Sequence, residues 1–129
     1  MTFASRMASI APDAIAPDGS EVRLLCATAR GSMALFTLAP GAVARAVAHR
    51  SVEEIWFIRS GHGRMWRALD GVEQTLDLRP ETSLTLPVGT RFQFRCDGEE
   101  PLVAVGITMP PWPGENEAYE VTGPWQPTV

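Results

Sequence analysis

The chain is predicted to be all-β and to form one domain, and three observations lead there. Its 11 glycines and 11 prolines recur along 129 residues at short intervals, the punctuation of many short strands. Arg91-Phe92-Gln93-Phe94-Arg95 alternates apolar and polar side chains with a period of two. No helical period is sustained anywhere over the roughly 12 residues that a stable helix needs.

Taken in order, residues 1–20 read as a loose, Ala-rich arm holding Pro12, Pro17 and an Asp18-Gly19 turn signal. Strand-like segments follow at 22–27 and 33–38, and Pro40-Gly41 breaks the chain. Residues 45–49 and 54–59 come next and end at Ser60-Gly61. Segments 63–69 and 72–78 flank Asp70-Gly71, whose residue types suit the positive φ of a two-residue hairpin. Residues 83–86 lead into Pro87-Val88-Gly89, a tight turn before the alternating segment 91–95. Residues 102–108 are almost all apolar, as in a strand buried on both faces.

The core therefore spans about 22–109, and 110–129 is a tail rich in proline and tryptophan. Met109-Pro110-Pro111-Trp112-Pro113-Gly114 cannot be an interior strand, because proline removes ladder donors. It should run extended over the surface, with Trp112 and Trp125 packed on the outside or the rim of the core. A short helical turn is expected at 115–119.

The net charge of −4 and the lack of basic patches with interleaved aromatics speak against nucleic-acid binding. Apolar stretches fall well short of the roughly 20 residues of a membrane span. Cys26 and Cys96 form no CxxC pair and no Cys/His cluster, and the first ten residues lack a sustained apolar segment. A cytoplasmic protein with reduced thiols is the expectation.

Two motifs bear on chemistry. The first places Gly41, Val47, His49, Glu54 and Gly61 at fixed intervals; the second places Glu81, Pro87, Gly89 and Phe92. Together they resemble the paired signature of the cupins, small antiparallel β-barrels of the double-stranded β-helix or jelly-roll type, with a metal ion in the mouth. That pattern asks for histidine at 47, 49 and 92, glutamate at 54 and glycine at 41, 61, 81 and 89. This chain keeps His49 and Glu54, has Val47 and Phe92 at the other two ligand positions, and carries Glu81 for the leading glycine of the second motif. The resemblance covers about residues 35–108. It implies a closed or nearly closed barrel and a homodimer, with Ile55 and Phe57 on a hydrophobic outer face as the contact.

Three imidazoles and a carboxylate suit Mn, Fe, Ni, Cu or Zn. One imidazole and one carboxylate make a degenerate site, since catalytic zinc normally takes three protein ligands. The cofactor expectation is thus none, or a weakly held divalent transition metal (Zn, Fe, Mn or Ni) on His49 and Glu54.

Both residues have a structural and a functional reading. His49 is either a partly buried histidine bonded to Glu54 or to a carbonyl, or a ligand or general acid/base. An inward Glu54 needs a partner or a proton, so a His49–Glu54 pair is the natural arrangement. Val47, Trp56, Ile58, Phe92 and Phe94 line the same interior and are expected to form the wall of a small-ligand site. Trp66 and Phe36 read as core, Arg45, Arg91 and Arg95 as solvated strand faces, Glu53 as outward, and His62 as remote from the cluster. No nucleophile elbow, phosphate loop or HExxH is present.

Two functions follow. The first is a small cupin that binds an organic ligand in its mouth, with His49 and Glu54 as the reactive or recognising pair. The second is a metal-dependent oxidoreductase (a dioxygenase) or isomerase acting on a small acid or sugar. Metal-free acid/base catalysis by His49 is a third and weaker option.

Overall fold

A computed structural model describes residues 2–129. The strands are β1 (Ala14–Ile15), β2 (Glu21–Ala27), β3 (Ser32–Leu38), β4 (Val47–His49), β5 (Glu53–Ser60), β6 (Gly63–Leu69), β7 (Val72–Leu78), β8 (Ser83–Leu86), β9 (Arg91–Cys96), β10 (Leu102–Met109) and β11 (Ala118–Glu120). Among the described residues there is no helix. All strand pairs are antiparallel and fall into two sheets, ordered β1-β2-β3-β10-β5-β8 and β11-β4-β9-β6-β7.

Turn chemistry accounts for the corners. Asp70 (φ 51) and Gly71 (φ 78) close the β6–β7 hairpin in the left-handed region, with Leu69 opposite Val72. Gly61 turns β5 into β6 at φ 87, and a Cβ there would run into the Pro101 carbonyl, so only glycine fits. Glu81 holds the left-handed backbone (φ 74) at the motif position where glycine is the rule.

The core lies between the sheets. Trp56, Ile58, Leu84, Leu86, Leu102 and Ala104 come from the six-stranded sheet. Val47, Met65, Leu78, Phe92, Phe94 and Cys96 meet them from the five-stranded one. In β5 the alternation is strict: Glu54, Trp56 and Ile58 point in, while Glu53, Ile55 and Phe57 point out.

Three expectations need correction. The barrel is not closed by a continuous ladder. The two sheets face each other, and the joining segments at 39–46, 79–82 and 97–101 lack the ladder that closure requires, apart from one Val43–Arg95 bridge. Residues 115–119 form no helical turn; Ala118–Glu120 pairs with β4 as an edge strand, because sheet pairing outweighs a weak local preference. The arm is less loose than its composition suggests: Ala14 and Ile15 pair with β2, and Arg23 Nε and Nη2 donate to the Ser9 and Ile10 carbonyls at 3.0 and 2.8 Å.

The tail runs over the outside of the five-stranded sheet. Ala46, Trp66 and Ala68 form a second apolar cluster there, covered by Val121 and Trp125. Gln93, fully buried, fastens the cover. Its Nε2 donates to the Ala44 carbonyl (2.8 Å) and the Trp125 carbonyl (2.9 Å), and its Oε1 accepts from Trp125 N (3.1 Å). Arg95 lies 4.5 Å from the centroid of the Trp125 ring.

Candidate functional site

His49 ends β4 and Glu54 is the second residue of β5, on either side of a short turn, so both side chains enter the same end of the interior. His49 Nδ1 lies 3.4 Å from Glu54 Oε2, with the two side chains 8% and 2% exposed. Glu117 builds the turn between them: its carboxylate accepts from Ser51 N (2.7 Å), Val52 N (3.1 Å) and Ser51 Oγ. These donors hold Glu117 below its usual pKa against the opposing effect of burial.

All seven residues expected at the site are buried: Val47, His49, Glu54, Trp56, Ile58, Phe92 and Phe94. They do not all meet. Phe92 packs edge-on to His49 (ring centroids 5.3 Å) and to Trp56 (6.0 Å). Phe94 packs edge-on to Trp56 at 5.1 Å. Val47 and Phe92 are direct cross-strand partners, so two of the four converging positions are a facing apolar pair. Ile58, one inward position beyond Trp56, sits deeper in the core. His62 is exposed at the β5–β6 turn, and Glu53 is exposed on the outer face.

By distance alone the His49–Glu54 contact would be an ion pair. Burial argues otherwise, and we favour the neutral pair. Desolvation lowers His49 to about 4, with the Glu117 carboxylate pulling weakly the other way. Desolvation, helped by Asp18 and Glu117 and opposed by the Trp56 indole, raises Glu54 to about 8. Near neutral pH the imidazole is therefore unprotonated and the carboxyl keeps its proton. The Trp56 N–H favours the Glu54 carboxylate but does not reach bonding geometry: Trp56 Nε1 is buried without a hydrogen-bond partner.

Besides Glu117, three contributors escaped the sequence reading as site residues. Trp112, from the tail, packs edge-on against His49 with ring centroids 5.1 Å apart. Thr90, buried with its hydroxyl unpartnered, lies opposite His49 if the Val47–Phe92 and Ala48–Arg91 register is extended by one residue. Thr108 is the cross-strand partner of Glu54 and shares a short hydroxyl–hydroxyl hydrogen bond with Ser32. Continuing the 92, 94 alternation back to 90 would have found Thr90; nothing local reports the others.

The donor set does not fit a tightly held metal. Among the described residues no three His, Cys, Asp or Glu side chains converge, and Val47 and Phe92 offer no lone pairs.

Two facing antiparallel sheets with this strand order make a double-stranded β-helix. The family profile described as Cupin domain matches residues 34–108. The chain belongs to the cupin family, as the two motifs led one to expect. Solved structures agree on the fold. A protein of Bacillus halodurans shares 19% identity at TM-score 0.66, over 77% of this chain and 76% of that one. An uncharacterised Klebsiella pneumoniae protein with a double-stranded β-helix domain shares 15% at TM-score 0.66, over 81% and 85%. Oxalate decarboxylase from Bacillus subtilis shares 23% at TM-score 0.69 over 83% of this chain, which spans only 29% of that enzyme. No curated protein matches. No helix among the described residues is long and apolar enough to cross a membrane.

Proposed function

We propose that this cupin binds a small organic molecule at the end of the interior where His49 and Glu54 meet, with Val47, Trp56, Phe92 and the deeper Ile58 and Phe94 as its wall. One observation carries the reading: an imidazole and a carboxyl 3.4 Å apart in an apolar interior, with Val47 and Phe92 where further metal ligands would stand. A neutral imidazole accepts or donates one hydrogen bond and a protonated carboxyl donates one, so the pair suits recognition of a polar group on an otherwise apolar ligand. The same pair could relay a proton to a bound substrate. The unbonded thiols of Cys26 and Cys96 are consistent with a cytoplasmic protein, and the apolar outer face with Ile55 and Phe57 is consistent with a homodimer.

A second reading rests on the same proximity. His49 and Glu54 are two surviving members of a ligand set and could hold a divalent ion loosely, in a metal-dependent oxidoreductase or isomerase. The discriminating experiment measures metal content in untagged protein, wild type beside His49→Ala and Glu54→Ala, together with thermal shifts on adding small acids and sugars. The binding reading predicts substoichiometric metal and a ligand-induced shift that both variants abolish. Stoichiometric metal lost in both variants would sink it in favour of the enzyme.

A further inference from the structure

We infer that Trp112 is a built-in occupant of the hollow, and that the ligand is a small, uncharged planar ring with a hydrogen-bond acceptor that takes the place of the indole against His49. The inference rests on the binding reading above and says what is bound and how it enters.

The first support is the way the tail is held. Trp112 closes the hollow over His49, yet its segment is weakly fastened. Pro110, Pro111 and Pro113 have no N–H, so the Trp112 N–H is the only backbone donor from 110 to 113. It donates to Ser32 Oγ at 3.0 Å. Gly114 follows at φ 134, a backbone setting that favours glycine, with no neighbouring atom within 4 Å of where a Cβ would stand. The Trp112 residue remains 36% exposed, whereas Trp56 beneath is 2% exposed. The surface depressions of about 260 and 230 Å3 are lined by residues 113–117 and by Ile55, Arg67 and Ser83–Thr85, not by His49 or Glu54. Neither depression reaches the pair, and moving the indole off His49 would vacate the space of one flat ring beside it.

The second support is what the hollow lacks. Trp56 Nε1 and Thr90 Oγ1 are both buried without partners. A buried donor without an acceptor costs about 1–3 kcal/mol, so a ligand that supplies an acceptor gains selectively here. No arginine acts on His49 or Glu54 to balance an anion, and the Asp18 and Glu117 carboxyls both act on Glu54. A cation fares no better, because an unpaired charge is costly to bury among apolar side chains and the Glu117 carboxylate is already committed to Ser51 and Val52.

Benzamide, benzoate and benzamidine form a nearly isosteric series that differs in charge. We expect Trp112→Ala to bind benzamide about tenfold more tightly than wild type does, and about tenfold more tightly than it binds either charged analogue. Thr90→Val placed on that background should give back several-fold of the gain. Ser32→Ala keeps the ring but frees its anchor and should bind benzamide with affinity between the two. Circular dichroism and an unfolding midpoint establish that each variant is folded; should Trp112→Ala not fold, Ser32→Ala decides. Equal benzamide affinity in the folded variants and wild type overturns the inference, and so does preference for benzoate or benzamidine. If those arms fail while wild type still responds to an acid or sugar through His49 and Glu54, only this inference falls. If that response is also absent, the binding reading falls with it.

Discussion

The two outer faces of this sandwich are treated in opposite ways. The five-stranded sheet is covered by the chain's own tail, with Val121 and Trp125 over Ala46, Trp66 and Ala68 and with Gln93 as the clasp. The six-stranded sheet is covered only in part: Leu35 on its outer face is buried, and Arg23 beside it ties down Ser9 and Ile10 of the arm, but the β5 end is open. Met33, Ile107 and Ile55 form one cross-strand row across three strands, and Leu35, Val105 and Phe57 form the next. Ile55 and Phe57 are 44% and 43% exposed. The difference teaches that apolar character on a strand's outer face has two outcomes, internal cover or a surface left for association, and that only the path of distant chain decides between them.

Changes on the covered side should therefore cost folding, and changes on the bare side should not. The largest effect is expected from Gln93→Ala. It strips three hydrogen bonds from a buried position and should lower stability by about 3 kcal/mol, read by denaturant unfolding, with faster proteolysis within residues 110–129. An intact, protease-resistant tail in that variant would show that the apolar cluster alone holds it.

The next effect depends on pH and tests whether the cover keeps the interior pair dry. Glu54, raised from 4.5 to about 8, binds a proton more tightly folded than unfolded, so its contribution falls as pH rises from about 4.5 to 8. His49, lowered from 6.5 to about 4, acts in the opposite sense and makes stability rise with pH between about 4 and 6.5. The two largely offset below 6.5; above it only Glu54 remains. Stability should then fall by up to about 2 kcal/mol between pH 6.5 and 8. Glu54→Gln, which cannot ionise, should flatten that decline in chemical denaturation series; a decline that persists would assign it to other groups.

A smaller gain is expected at the seam between the faces. Glu81→Gly relieves a left-handed backbone at φ 74 and should stabilise by up to about 1 kcal/mol, after the added flexibility of the unfolded chain is deducted. A loss on thermal unfolding would mean that the Glu81 side chain contributes more than its backbone costs. The smallest folding effect belongs to Ile55→Ser with Phe57→Ser, within about 0.5 kcal/mol, while sedimentation should show the association proposed for the wild-type chain lost in the variant. A large loss of folding stability there would erase the contrast between the two faces.

What could be read from the sequence was what is local. Asp70-Gly71 forms its hairpin because a two-residue turn depends on its own φ values, and the 91–95 alternation depends only on period. The motif spacings conveyed the cupin fold because glycine and proline spacing reports turn geometry. Closure of a barrel was not legible, since it depends on whether distant edges pair. The 115–119 segment misled for the same reason: β11 exists only because β4 offers it an edge. At the site, His49 and Glu54 were recognisable from a spacing of five residues, whereas Trp112 reaches His49 across more than sixty residues and Ser32 anchors it from the opposite end of the chain.

The order in which the tail appears has a consequence for synthesis. Every strand of both sheets but β11 precedes Trp112, and the Glu117 carboxylate that ties the turn between His49 and Glu54 comes later still. The segment that closes the pair is thus the last to be made, and a chain cut after β10 would keep the imidazole and the acid while losing both the ring packed on His49 and the carboxylate that ties their turn.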